Sequence, residues 1–250
     1  MIKDLMSLQL CAAAADDAEA IARVKDAIWP EEATAPDYIA QVIQQPDHDT
    51  ILALDNEHIV GFVDSFITLG AAGQRRWEVD LLGVHPAYRG RGIGSQLMQA
   101  TTTAGWQIGA ECARGLVAVA NVSSQKAFAR AGYVVEEGPL NLWVSALNSD
   151  VAQRPLCVQL SIVSNQLPAA SFLIPVITLN YRGIWLEGQL SAAALLAAQA
   201  ICSRRGWDIA GVLIPVADTR LNKVAHKANY VFVNQYQFWQ QMTPRCVVLS

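Results

Sequence analysis

Apolar and polar residues alternate, or recur at helical spacing, in short segments along the whole chain, which predicts a mixture of strands and amphipathic helices. After Asp16 and Asp17, for example, a helix carries Ile21, Val24 and Ile28 on one face. The predicted strands are residues 5–12, 50–54, 59–69, 77–84, 115–120, 133–136 and 140–146, and the further helices are 36–45, 92–104 and 123–131. This order predicts the α/β (α+β) class, with one mixed central sheet flanked by helices.

Composition narrows the class of protein. Of the 250 residues, 52% are hydrophobic and 16% charged, and the mean hydropathy is +0.23, which suits a folded core and not a disordered chain. The net charge of −4 leaves no broad basic face for a phosphate backbone, so nucleic acid is not an expected partner. No apolar run approaches the roughly 20 residues of a spanning helix, so we expect no membrane association.

The spacing of the cysteines and the first residues of the chain indicate the cellular compartment of the protein. The five cysteines are odd in number, far apart and without a CxxC pair, namely Cys11, Cys112, Cys157, Cys202 and Cys246. This pattern favours reduced, mostly buried thiols and gives no reason to expect a metal site. Residues 5–15 are mostly apolar, but the preceding Lys3 and Asp4 cancel in charge, unlike the start of a secretory signal. We therefore expect a cytoplasmic protein.

A segment of the first half recurs in the second half at a constant offset of 97 residues. The first copy contains Val119, Ala120, Lys126, Ala131, Tyr133 and Val134, and positions 216, 217, 223, 228, 230 and 231 hold the same residues. Both copies read as strand, polar cap, amphipathic helix, aromatic residue and strand. Residues 148–155 are polar and end in proline, which is typical of a linker. The sequence therefore predicts two domains, 1–147 and 148–250.

The most informative segment is the run from Val84 to Ser95, VHPAYRGRGIGS. A strand that enters a glycine-rich turn and then a helix directs several unpaired backbone N–H groups at one point, which favours a phosphate. Glycines at 90, 92 and 94 permit a close backbone approach, and Arg89 and Arg91 add positive charge. A nucleoside-triphosphate loop would need GK[ST], and a dinucleotide fingerprint would need GxGxxG, so both are disfavoured.

These residues resemble the coenzyme A pyrophosphate loop of the GNAT superfamily of acyl-CoA N-acyltransferases. The resemblance rests on Arg89-x-x-Gly92-x-Gly94 after Gly83-Val84, on Asn121 before a helix ending Ala131-Gly132-Tyr133, and on the element order across residues 1–147. It implies that the loop amides hold the CoA pyrophosphate, through Arg89, Gly90, Arg91, Gly92, Ile93, Gly94 and Ser95. It also implies that the backbone of Leu82, Gly83 and Val84 pairs with the pantetheine arm, and that Asn121 contacts the cofactor.

Transfer of an acyl group from a thioester to an amine needs a base for the ammonium proton and a donor for the oxyanion. Strand alternation predicts Glu78, Asp80, Leu82 and Val84 on one face. Glu78 matches by position the general base of the histone acetyltransferase branch, and Asp80 lies one pleat nearer the thioester. Both are therefore candidate bases, directly or through water, and a solvated carboxylate at the strand edge is the alternative for each. A main-chain N–H near Leu82 is the candidate oxyanion donor.

The leaving-group acid departs from the family pattern. Many members have a tyrosine seven residues after the asparagine, where its hydroxyl reaches the CoA sulfur, but this cofactor-binding position is Phe128 here. Phe128 has no proton to give, which leaves water or Tyr133 as the candidate acid. Trp29, Tyr38, Trp185 and Glu187 are candidates for the acceptor pocket, with core packing as the alternative for the aromatic residues.

The second copy has lost the features of the loop. Its Tyr181-Arg182-Gly183 is followed by Ile184 and Trp185 instead of a glycine pair, and Asp218 replaces the asparagine. We therefore expect a degenerate GNAT-like half that does not bind CoA and packs as an internal pseudo-dimer partner, or else a homodimer of the chain. The sequence predicts an N-acetyltransferase with acetyl-CoA as cosubstrate and a small-molecule or peptide amine as acceptor. The alternative is a catalytically weak CoA-binding sensor or interaction module.

Overall fold

The structure, a computed structural model, describes residues 8–136, 138–147 and 170–244 of the chain. It divides into two compact units. The first comprises Met1–Leu116, Val122–Glu136 and Phe238–Ser250, and the second comprises Val117–Asn121 and Glu137–Gln237. The predicted linker at 148–155 lies outside the described residues.

The first unit is a mixed sheet with helices packed on it. Its strands are β1 (Leu8–Ala12), β2 (His48–Asp55), β3 (His58–Leu69), β4 (Arg75–Val84), β5 (Cys112–Ala118) and β6 (Val134–Val135), and its helices are α1 (Ala18–Ile28), α2 (Pro36–Ile43), α3 (Ile93–Gln107) and α4 (Val122–Arg130). Strands β1 to β4 pair in order and antiparallel, while β4 and β5 run parallel. The predicted class and the predicted mixed sheet are therefore confirmed.

The second unit has the same kinds of elements. Its strands are β7 (Leu140–Ala146), β8 (Ser171–Ile177), β9 (Arg182–Gly188), β10 (Ile209–Pro215) and the first part of β11 (Val231–Met242), and its helices are α5 (Ala192–Arg205) and α6 (Thr219–Lys227). The strand order is β11-β7-β10-β9-β8, and only the β10–β9 pair among these is parallel. Helix α5 packs on β9 and β10 through Ala194, Leu195 and Ala198, which are almost fully buried.

The boundaries of the two units along the chain differ from the predicted boundary at residue 147. Strand β7 belongs to the second unit because it pairs along its length with β10. The last residues of β11 belong to the first unit, where Trp239 and Gln240 pair with β6. A boundary drawn from composition alone cannot show that the final strand of a segment is hydrogen-bonded elsewhere, because the polar linker is the only signal it uses.

A β-bulge at Asp80 breaks the predicted alternation along β4. Val79 is opposite Ser65 and Leu81 is opposite Asp64, so Asp80 is an extra residue in the strand. The expectation that Glu78, Asp80, Leu82 and Val84 share one face is therefore wrong. Before the bulge, Trp77 faces α3, and after it, Leu82 and Val84 face α3, since both lie within 4 Å of the position of a β-carbon on Gly94. An inserted residue shifts the side-chain period by one.

Buried contacts between β4 and α3 fix the loop that joins them. The indole of Trp77 donates to Thr101 Oγ1 at 2.9 Å, and Thr101 Oγ1 donates to Ser65 Oγ at 2.8 Å. Gly105 makes room for the indole, because a β-carbon there would lie 2.6 Å from Trp77 Cγ. The two ends of the loop are therefore held by a packed and hydrogen-bonded core.

Candidate functional site

The loop between β4 and α3 turns back on itself through two left-handed glycines. Pro86–Tyr88 forms a single 3-10 turn, and Gly90 and Gly92 follow with φ of 78° and 81°. A side chain at either position would meet nothing within 4 Å, so these glycines are needed for the backbone conformation and leave open space around the loop. Residues other than glycine rarely adopt this conformation.

The first turn of α3 has no side-chain cap. Gly92 is the N-cap residue, and no acidic residue stands in the first turn. Ser95 and Gln96 donate their N–H groups to Gly92 O at 3.1 and 3.2 Å, which leaves the N–H groups of Ile93 and Gly94 ahead of the helical hydrogen bonds. The helix start therefore presents unused donors and the positive end of the helix dipole to the open space beside the loop.

Two arginines on the loop are held by loop carbonyl groups. Arg89 Nε donates to Val84 O at 3.2 Å, and Arg91 Nη2 donates to Ala87 O at 3.3 Å. The guanidinium of Arg91 also lies 5.0 Å from the centre of the Tyr88 ring. Both side chains are exposed. The loop therefore carries two positive charges at its surface, next to the uncapped helix.

Strands β4 and β5 are paired over only part of their length. The parallel ladder runs from the Arg76–Cys112 pair to the Glu78–Arg114 pair. Beyond Glu78, β4 continues for six residues to Val84, and the described ladder assigns it no further partner on the β5 side. The main chain of Leu82, Gly83 and Val84 therefore has an edge that an extended ligand can pair with.

Asp80 stands where this open edge begins. Its side chain is exposed to solvent on one side, while the protein atoms packed around it desolvate the carboxylate. Burial among these atoms, and then the negative charge of Glu78, raise the pKa of Asp80 to about 7, while Lys25 acts in the opposite direction. A carboxyl group with a pKa near 7 can accept a proton at neutral pH and release it again.

Lys25 belongs to the surroundings of Asp80 and is missing from the sequence prediction. Its side chain is fully buried, and Nζ donates to Thr34 Oγ1 at 2.8 Å. Burial lowers the pKa of Lys25, and the carboxylates of Glu32, Asp26 and Asp80 oppose that effect. The sequence does contain a signal, because Lys25 lies four residues after Ile21 on the apolar face of α1, where a lysine is unusual.

Glu78 is in a different environment from Asp80. Arg114 Nε donates to both of its oxygens at 3.0 and 2.9 Å, Thr68 Oγ1 also donates to Oε1, and Arg76 Nε lies 3.4 Å away. Only 13% of the Glu78 side chain is exposed. These contacts occupy both oxygens of Glu78, so this carboxylate is poorly placed to contact an acceptor amine.

Tyr133 and Phe128 lie in the core of the first unit. The Tyr133 hydroxyl is 2.6 Å from Thr102 Oγ1, and the ring is 3% exposed. Burial raises the pKa of Tyr133 to about 12. Phe128 stacks edge-on against Tyr133 and fills the space beside Gly115, where a β-carbon would lie 2.4 Å from its ring. Both side chains are therefore part of the packed core of the first unit.

Other predicted residues have simple positions. Asn121 is exposed and lies in the turn before α4, where its N–H donates to Ala118 O at 2.8 Å. Trp29 packs edge-on against Phe62, and Tyr38 is buried in α2. Trp185 donates its indole N–H to the Tyr181 hydroxyl, and Glu187 lies in β9.

The counterpart of the loop in the second unit is short and capped. Tyr181-Arg182-Gly183 is the predicted remnant of the loop, but Arg182 and Gly183 are the first residues of β9, and Arg182 is buried beside Asp208. That assignment is therefore wrong. Three residues separate β9 from α5, compared with eight between β4 and α3. The Ser191 hydroxyl accepts from Ala194 N at 3.2 Å and so gives α5 a side-chain cap that α3 lacks.

Comparison with known proteins identifies the class of the first half. Residues 17–133 match the model of the acetyltransferase (GNAT) family. The chain therefore contains a GNAT acetyltransferase-family domain, as the resemblance predicted. None of the curated proteins matches the chain.

Solved structures show the same fold. A putative acetyltransferase from Pyrococcus horikoshii is 14% identical, with a TM-score of 0.60 over 98% of this chain and 93% of its own. A tandem GNAT protein from the clavulanic acid biosynthesis pathway is 12% identical, with a TM-score of 0.56 over 95% and 99%. A glucosamine N-acetyltransferase region in a fungal multi-domain β-N-acetylglucosaminidase is 13% identical, with a TM-score of 0.61, and this chain spans only 38% of that protein. At these identities the likeness concerns the fold alone.

Two further features of the described residues concern metal ions and membranes. No three histidine, cysteine, aspartate or glutamate side chains among them are grouped closely enough to hold a metal ion. No helix within residues 8–136, 138–147 and 170–244 is long and apolar enough to cross a membrane.

Proposed function

We propose that the protein is an acyl-CoA N-acyltransferase that moves an acetyl group from acetyl-CoA to a primary amine. One combination of features carries the proposal: an uncapped helix start behind a glycine loop, an open strand edge, and a carboxyl group of pKa about 7 on the same strand. The first two suit the pyrophosphate and the extended pantetheine arm of CoA. The third suits removal of a proton from an ammonium group.

In this proposal the loop binds the pyrophosphate of CoA. The amides of Ile93 and Gly94 donate to phosphate oxygens, and the exposed Arg89 and Arg91 balance their charge. The open space at Gly90 and Gly92 lets the phosphates approach the backbone. The resemblance adds Ser95 and Asn121 to the residues that contact CoA, and the exposed position of Asn121 before α4 is compatible with that role.

The pantetheine arm would extend the sheet beside β4. Its amides pair with the main chain of Leu82, Gly83 and Val84, so the thioester reaches the bulge at Asp80. A main-chain N–H at this position is the candidate donor to the oxyanion.

Asp80 is the proposed general base. It takes a proton from the ammonium group of the acceptor, directly or through a water molecule, and the free amine attacks the thioester carbonyl carbon. A C–N bond forms, the C–S bond breaks, and CoA leaves as a thiolate. The second proton that the attacking nitrogen loses passes through water to this thiolate. Glu78 is retained as the second candidate, although its pairing with Arg114 favours a role in holding β4 to β5.

The acceptor is a small-molecule or peptide amine. Strand β4 packs against α1, since a β-carbon on Gly83 would lie 2.9 Å from Ile28 Cδ1, and Lys25 of the same helix acts electrostatically on Asp80. The segment from Trp29 to Thr34 follows α1 and connects it to α2, so we propose that it forms part of the acceptor site.

The second candidate function is a CoA-binding module without efficient catalysis. It is favoured by the lack of a tyrosine at the position of Phe128 and by the burial of Tyr133, which leave no side-chain acid for the thiolate. For the second half, its short, capped β9–α5 connection supports a degenerate GNAT-like copy that does not bind CoA.

One assay separates the two functions. The protein is incubated with acetyl-CoA and a panel of amines that includes aminoglycosides, polyamines, amino acids and peptides with free N-termini, and released thiol is followed. A transferase releases thiol in proportion to one of these amines, and the Asp80→Asn variant does so far more slowly. Binding of acetyl-CoA without amine-dependent release from any member of the panel would favour the binding module.

A further inference from the structure

A cavity lies in the second unit, between α6 and the strand β7. Its volume is about 420 Å³, which is in the usual range for small-molecule sites. The residues that line it include Asn141, Trp143, Thr219, Lys223, His226 and Lys227. All of them belong to the second unit, so the cavity is independent of the loop between β4 and α3.

A tryptophan held in place by hydrogen bonds forms one wall. Trp143 is 9% exposed, and its indole Nε1 donates to Asn222 Oδ1 at 2.7 Å. Asn141 Nδ2 donates to the same oxygen at 2.8 Å. Asn222 Nδ2 in turn donates to the carbonyl oxygens of Pro215 and Asp218 at 3.0 and 2.7 Å. The indole is therefore fixed in one orientation, and its exposed part gives the cavity a rigid apolar wall.

Positive charge lines the other side. Lys223, His226 and Lys227 lie three and four residues apart on α6, so they share one face of that helix, and all three are exposed. Neither lysine forms an ion pair with a carboxylate among the described residues. Helix α6 itself, Thr219–Lys227, contains no acidic residue. The nearest acidic residue along the chain, Asp218, uses its carboxylate to cap the helix through Leu221 N.

One acceptor at the cavity lacks a hydrogen bond. Asn141 Oδ1 is buried and has no partner among the described residues. A buried carbonyl oxygen without a donor is costly unless a ligand or a water molecule supplies one. A ligand with an N–H group would satisfy it.

We propose that this cavity binds a small organic anion with a flat ring that carries N–H groups, of the size and chemistry of a mononucleotide. The ring packs on Trp143, an N–H group donates to Asn141 Oδ1, and Lys223 and Lys227 pair with the anionic group. The face of α6 that binds it differs from the face occupied by Leu221 and Ala225, which pack into the core. The second half thus has a ligand site of its own, of a kind unrelated to the loop of the first half.

The repeat provides a matched control. Lys126 and Arg130 of α4 stand at the positions that correspond to Lys223 and Lys227 at the offset of 97, and both are exposed. The double variant Lys126→Gln/Arg130→Gln therefore removes the same charge from the other unit. The test variant is Lys223→Gln/Lys227→Gln, whose surface positions are not expected to affect folding.

Isothermal titration with AMP tests the proposal. The titration is done on the full chain without CoA and is repeated with Gly92→Asp, which weakens binding at the CoA loop, so that any AMP bound at the loop is recognised by its loss in this variant. We expect AMP to bind wild type, and the Lys223→Gln/Lys227→Gln variant to bind it at least about tenfold more weakly, with the control variant within about twofold of wild type. Adenosine, which lacks the anion, and inorganic phosphate, which lacks the ring, should each bind at least about tenfold more weakly than AMP.

Several results would overturn the proposal. No binding of AMP to wild type removes its basis, and equal binding by the Lys223→Gln/Lys227→Gln variant shows that the lysines do not form the site. Equal affinity for adenosine or for phosphate removes the requirement for the anion or for the ring. In addition, the indole N–H resonance of Trp143, assigned with Trp143→Phe, should shift on addition of AMP, and an unshifted resonance places any binding elsewhere.

Discussion

Glu78 and Asp80 lie two residues apart on β4, yet their surroundings give the two carboxylates different chemistry. Arg114, Arg76 and Thr68 all contact the carboxylate of Glu78. Among the described residues Asp80 has no such set of donors, and burial together with the charge of Glu78 raises its pKa to about 7. At the level of residues, the structure therefore favours Asp80 over Glu78 as the base.

The first prediction concerns the pH dependence of transfer. Because a protonated carboxyl group cannot accept a proton, kcat/KM should fall below a pKa of about 7. Asp80→Asn should remove this fall of kcat/KM at low pH and lower kcat by roughly 10²- to 10⁴-fold. The measurement is the rate of thiol release from acetyl-CoA between about pH 5 and pH 9, a range that includes the pKa of about 7. Asp37→Asn, an exposed carboxylate in the first turn of α2, is the control. If kcat/KM of Asp80→Asn still falls at low pH as it does in wild type, the base is another residue.

The second prediction separates the core role of Tyr133 from the catalytic role that the sequence allowed. Tyr133→Phe removes only a hydroxyl whose partner is the buried Thr102, so it should cost about 1 kcal/mol of unfolding free energy. Its kcat should stay within about twofold of wild type, whereas loss of a general acid would cost at least roughly 10²-fold. Tyr230→Phe, at the corresponding buried position of the second unit, is the matched control for stability. A large drop in kcat for Tyr133→Phe alone would restore it as the acid.

At the level of elements, the residues that begin helices and form turns explain which predictions were accurate. Pro36 begins α2, the left-handed residues Asn56 and Glu57 form the β2–β3 turn, and the glycine loop precedes α3. Most observed boundaries lie within about three residues of the predicted ones. These helix starts and turns depend on residues that are neighbours along the chain, so they can be recognised from the sequence alone.

The bulge at Asp80 could not be predicted in the same way. It depends on how β4 pairs with β3, and its neighbours Val79 and Leu81 read as an ordinary strand. The pairing of Tyr181-Arg182-Gly183 with the loop failed for a related reason, because three matching letters carried no information that Arg182 is buried against Asp208. Lys25 and Arg114 were missed because contacts between distant segments give them their roles.

The third prediction concerns the packing of α3 on β4. Gly105→Ala would place a β-carbon 2.6 Å from Trp77 Cγ, so the helix must shift away from the strand. We expect a loss of about 1–3 kcal/mol in unfolding free energy and weaker binding of CoA, because the displaced helix carries the loop. Thr103→Ala, an exposed position on the same helix, should change both by little. Urea unfolding and CoA titration measure the two effects, and an unaffected Gly105→Ala variant would show that the contact is not restrictive.

At the level of the whole chain, the two units have related elements but different proposed ligand sites. Strand β10 and helix α6 have the bounds of β5 and α4 at an offset of 97, and Tyr230 is buried like Tyr133. The connection before the preceding helix differs, since the first unit has an open glycine loop and the second a serine cap. We therefore predict one CoA site in the chain, in the first unit, and a separate anion site in the second.

The most direct test of this account is a calorimetric titration of acetyl-CoA into wild type, Gly92→Asp and Gly73→Asp. Gly73 is the matched control because it has a φ of 79° and open surroundings like Gly92, but lies in the β3–β4 turn. We predict one site per chain in wild type and in Gly73→Asp. In Gly92→Asp the added negative charge should weaken binding at least about thirtyfold. Two sites per chain, or unchanged affinity in Gly92→Asp, would contradict the account.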